Sequence, residues 1–88
     1  MKDDFRGICP SLAWFTNAMQ TELDNNRHKG GWGSMSQKWL LRRLRQETKE
    51  LERAIAEGKN VVEEAADVAN FAMMIADNCA ESKAEGEP

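Results

Sequence analysis

The sequence predicts an all-α fold: three helices per chain, with a core that another copy completes. Apolar residues recur at helical spacing in three segments, and capping residues and glycines bracket those segments. Strand signals are absent, with no sustained alternation and few β-branched residues. At 88 residues there is room for one domain. So short a chain buries only about 60–65% of the surface its unfolded state exposes, which leaves its own core marginal.

Pro10-Ser11 opens the first helix, with Leu12, Phe15, Met19 and Leu23 on one apolar face. It fades at Asn25-Asn26, and the glycine-rich stretch from Arg27 through His28 to Gly33 links it to the next. Ser34, spaced from Gln37 as in a capping box, is expected to start the second helix. That helix runs through Leu40, Leu44, Leu51 and Ile55 and ends at Gly58. Asn60 caps the third, with Glu63 at the reciprocal position, and the helix continues through Val68, Ala72 and Ile75 to about Ala80. The division is an N-terminal extension over 1–10, a helical domain over 11–81 and a disordered polar tail over 82–88. Helix three is apolar nearly all round, through Ala65, Ala66, Ala69, Ala72, Met73, Met74, Ile75 and Ala76. Such a helix in a small protein needs a neighbouring chain to cover it, so a homodimer or homotetramer is expected.

Formal net charge is −3, with 31% charged residues of mixed sign. That argues against a nucleic-acid groove, which wants a basic surplus. No apolar run approaches the roughly 20 residues of a membrane span. Cys9 and Cys79, with no secretory signal ahead of them, are expected to be reduced thiols of a cytoplasmic protein. No Cys/His constellation suggests zinc.

Helix two is the informative one. Its apolar stripe is clean except for Glu47, which falls inside it, and Glu50 lies on the flank. A glutamate is almost never buried unless paired or bound to metal. On helix three, Glu64 falls within the apolar arc and Asp67 lies one turn on. The less favoured alternative for Asp67 is a plain polar face shared with Glu63, Asn70 and Asp77. Each pair is spaced i, i+3, on one helix face. Antiparallel helices joined by the Gly58-Lys59-Asn60 turn would bring the pairs opposite each other. Such carboxylates repel unless a cation compensates, and hard oxygen ligands select Mg²⁺, or Mn²⁺ in its place.

Glu47-Thr48-Lys49-Glu50, followed after thirteen residues by Glu64-Ala65-Ala66-Asp67, resembles the ExxE…ExxD signature of the MazG-like all-α NTP pyrophosphohydrolases. That superfamily includes the dimeric dUTPases and dCTP pyrophosphatases. The runs Leu40 to Glu47 and Glu63 to Phe71, and the Lys29-Gly30-Gly31-Trp32 loop, are similar to their counterparts there. The resemblance spans roughly residues 11–80. Gln46 departs from it, standing where many relatives carry a further glutamate, and these 88 residues are fewer than in several relatives, which normally add a fourth helix.

The resemblance implies a MazG-like four-helix-bundle core completed by oligomerisation. It also implies Mg²⁺-dependent cleavage of a nucleoside triphosphate to the monophosphate and pyrophosphate. Glu47, Glu50, Glu64 and Asp67 would hold the metal, with Glu47 or Glu50 also handling the attacking water. Lys29 is the candidate to meet phosphates, with Lys38 and Arg43 as alternatives. Trp32 either stacks a base or packs over the bundle end. Asn70 and Phe71 are further candidates for substrate contact, with a polar face for Asn70 and core or subunit interface for Phe71 as the other readings. Two other functions stay open: a non-catalytic oligomeric helical adapter, and a phosphoribosyl-ATP pyrophosphohydrolase of the same superfamily.

Overall fold

A computed structural model describes residues 7–26 and 31–86, with side chains as far as residue 80. Three helices follow one another, α1 (Pro10–Asn25), α2 (Gln37–Glu57) and α3 (Val61–Gly86), with no strand among the described residues. Helix α3 is central, packing against both α2 and α1. None of the described helices is long and apolar enough to cross a membrane.

The helix ends follow local chemistry. Pro10 occupies the first turn of α1, where its missing N–H costs nothing. Helix α2 begins two residues later than the sequence predicts. Its cap is Ser36, whose Oγ accepts from the Trp39 amide at 3.0 Å, and not Ser34. The cause is a turn closed by the Met35 amide on the Trp32 carbonyl at 3.0 Å. That turn takes up Ser34 and leaves Ser36 extended, at ψ 153°. Gly58 ends α2 in the left-handed region at φ 73°, its amide bonded to the Ala54 and Ile55 carbonyls at 2.8 and 3.3 Å. Asn60 is also left-handed, at φ 60°, and its carbonyl receives the Glu64 amide at 3.0 Å. Helix α3 runs to Gly86, past the expected end near Ala80 and through most of the stretch read as a tail. The residues there, from Glu81 through Lys83 to Glu85, are mostly good helix formers, and no breaker intervenes before Gly86.

Leu40, Phe71 and Met74 form the buried core, with Leu23, Trp32, Met35, Leu44, Met73 and Ile75 packed around them. Ala54 and Ala66 are buried too. On α2 the inward line therefore runs Leu40, Glu47, Ala54, each two turns apart. Ile55, predicted to close the stripe, is 62% exposed because the small Ala54 faces inward in its place. Leu12, Trp14, Trp39, Leu41, Val61 and Val62 are also exposed.

Candidate metal centre

Glu47 stands midway between two buried residues on the inner line of α2, so helix geometry turns its carboxylate inward. Its side chain is only 13% exposed. Asp67 stands the same way on α3, one turn before Phe71 and two before Met74. The hairpin turn sets the two helices so that these groups meet. Glu47, Glu64 and Asp67 each offer an oxygen, and the three oxygens lie within 4.8 Å of one another. All three residues are half-buried.

Crowding shows in the protonation equilibria. Burial first, then the charges of Glu22, Glu47 and Glu64 and a hydrogen bond with Glu22, push the Asp67 carboxyl up from 3.8 to about 7. Glu64 is raised as well, by burial, then by Glu47 and Glu50, and more weakly by Glu22 and Glu63. A divalent cation would offset these repulsions, and an all-carboxylate donor set suits Mg²⁺ or Mn²⁺.

Around the cluster lies a cavity of about 270 Å³, lined by Asn26, Arg43, Glu47, Asp67 and Phe71. Arg43 donates from Nη2 to Glu47 Oε2 at 2.9 Å and from Nη1 to Gln46 Oε1. Its guanidinium carbon sits 4.9 Å from the centroid of the Phe71 ring. Asn26 Nδ2 donates to Asp67 Oδ1 at 3.4 Å.

Of the four predicted ligands, three converge and Glu50 stands apart. Its Oε1 accepts from Arg53 at 2.8 Å, and it lines a second cavity of about 170 Å³ shared with Lys59, Asn60 and Glu64. Glu22 and Asn26 on and beside α1 escaped the sequence reading. The signal for Glu22 was available, since it lies between Met19 and Leu23 on the apolar face of α1, the same anomaly that marks Glu47.

The predicted substrate contacts divide. Phe71 is buried yet lines the first cavity. Trp32 does not line it: the ring packs against the core, and Nε1 donates to Asp77 Oδ2 at 3.0 Å. Asp77 is ten residues beyond Asp67 on α3, about 15 Å along the axis. Asn70 is 3% exposed and acts as a strut between helices, donating to the Met19 carbonyl at 3.0 Å. Lys38 is exposed in the first turn of α2, nine residues and about 13 Å before Glu47. Lys29 lies outside the described residues.

Compared with known proteins, the chain matches no protein family, no curated protein and no solved structure.

Proposed function

We propose that this chain is a Mg²⁺-dependent nucleoside triphosphate pyrophosphohydrolase, cleaving an NTP or dNTP to the monophosphate and pyrophosphate. The observation that carries the reading is the convergence of Glu47, Glu64 and Asp67 within 4.8 Å, from two helices, beside a cavity. The resemblance to the MazG-like signature supplies the substrate class. Glu47, Glu64 and Asp67 would hold the ion, which when bound offsets charge developing on the phosphate oxygens. Glu50 is outside the ligand group but near enough to raise Glu64. It lines the neighbouring cavity with Glu64, and we assign it to orient the attacking water and accept its proton. Arg53 fixes its position. The exposed apolar residues of α1 and α2, Leu12, Trp14 and Ile55 among them, support an oligomer that completes a MazG-like four-helix core.

The test is pyrophosphate release from a panel of NTPs, dNTPs and phosphoribosyl-ATP, with Mg²⁺ or EDTA. Release that needs Mg²⁺ and is lost, by about a hundred-fold or more, in Glu47→Gln is the expected result. No release above the EDTA blank from folded protein would leave a non-catalytic helical module, the second reading that the exposed apolar faces favour.

A further inference from the structure

Glu47 has two claims on one carboxylate. Its oxygens belong to the acidic cluster, and Oε2 is bonded to Arg43 at 2.9 Å. Among the described residues that line the 270 Å³ cavity, Arg43 is the single cationic one. The guanidinium is not free to swing as a surface arginine would be. It lies over the Phe71 ring at 4.9 Å, and Phe71 is only 4% exposed, so the seat is rigid. Arg43 itself is 31% exposed on its side chain, so one edge of the group reaches open space.

A guanidinium spreads one positive charge over five N–H donors in a plane. A divalent ion concentrates two charges and binds carboxylate oxygen at about 2.0–2.1 Å in the case of Mg²⁺. In competition for Glu47 the ion wins, and Nη2 loses its acceptor while the ring keeps the group in place. The N–H fork matches the spacing of phosphate oxygens and binds them in pairs. A polyphosphate entering this cavity would find that fork presented beside the cation.

We propose that Arg43 is a metal-gated phosphate clamp: in the metal-free protein it is held by Glu47 on the face of Phe71, and divalent-cation binding releases it to grip the phosphate chain of the substrate. This deepens the pyrophosphohydrolase reading and rests on it. The gate gives binding an order, because the anion site is blocked by an internal carboxylate until the metal has arrived. It also disfavours metal-free nucleotide, which would meet the acidic groups of Glu22, Glu64 and Asp67 and an arginine already paired with Glu47.

The experiment is calorimetric titration of the full chain with Mg²⁺ alone, then with inorganic pyrophosphate at saturating Mg²⁺ and again in EDTA. It compares wild type with Arg43→Gln and Arg43→Lys, each checked for folding by circular dichroism. Arg43→Gln is expected to weaken pyrophosphate binding by about ten- to a hundred-fold in Mg²⁺, as loss of a charged hydrogen-bond donor does. In EDTA the same substitution should change little, and Mg²⁺ affinity should hold or rise as Glu47 is freed. Arg43→Lys keeps the charge without the fork and should fall between, so it carries the test if the glutamine variant does not fold. An equal loss with and without Mg²⁺, or no loss in Mg²⁺, overturns the gate while wild-type Mg²⁺ binding leaves the metal centre standing. Failure of wild type to bind Mg²⁺ at all removes both.

Discussion

Replacing Asp67 by asparagine should stabilise the protein in the absence of divalent metal, although Asp67 belongs to the candidate metal centre. The folded carboxyl titrates near 7 against an ordinary 3.8 because it is half-buried among Glu22, Glu47 and Glu64. That gap, at about 1.4 kcal/mol per unit, sets an upper bound of roughly 4 kcal/mol. Water reaches the site and screens it, so a gain on the order of 1–2 kcal/mol is expected. A carboxyl raised on folding contributes stability that is fully present below pH 3.8 and lost as pH rises through about 7. The advantage of Asp67→Asn is therefore largest at pH 8, shrinks steadily below pH 7 and is gone near pH 4. The amide keeps an oxygen to accept from Asn26, so the 3.4 Å contact on Oδ1 survives. Thermal unfolding in EDTA reads the effect, with a melting temperature higher by roughly 4–12 °C at pH 8. Added Mg²⁺ should then stabilise wild type more than the variant. A variant no more stable than wild type at pH 8, or a gain that does not depend on pH, would refute the reasoning.

Three further outcomes can be checked by urea unfolding or steady-state kinetics. Ser36→Ala should cost about 1 kcal/mol by removing the cap on the Trp39 amide, while Ser34→Ala should cost close to nothing. Gly58→Ala should cost roughly 1 kcal/mol because φ 73° is left-handed; open space around the glycine means strain and not a clash is what the urea midpoint would report. Trp32→Phe should lower stability by roughly 1 kcal/mol through loss of the bond to Asp77, yet leave KM for triphosphate unchanged. A large rise in KM would return Trp32 to the substrate site.

Much of the helical framework was legible because apolar spacing reports direction around a helix axis. Glu47 and Glu64 stood out for that reason, each an acid pointing where apolar neighbours point. The same logic could have found Glu22 between Met19 and Leu23. What periodicity does not carry is how neighbouring helices rotate against one another. That rotation puts Ala54 inside and Ile55 outside, turns Asn70 toward the Met19 carbonyl, and leaves Glu50 to Arg53. Local competition decides the α2 start: a turn takes up Ser34, the expected cap, and leaves Ser36 to cap the helix. Trp32 was open to both readings, and its neighbours 45 and 46 residues away, Asp77 and Asn78, were out of reach of any local pattern.

The turn from Gly58 to Asn60, with two left-handed residues in so short a span, also acts as a length gauge. A residue gained or lost that is taken up in the first turn of α3 would rotate the faces of α3 by about 100° relative to α2. Glu64 and Asp67 would then leave Glu47 at the same moment that Phe71 and Met74 left Leu40. Insertions and deletions in this turn thus abolish core and carboxylate cluster together, so lineages of this chain should vary freely in identity at exposed Lys59 while holding the number of residues fixed.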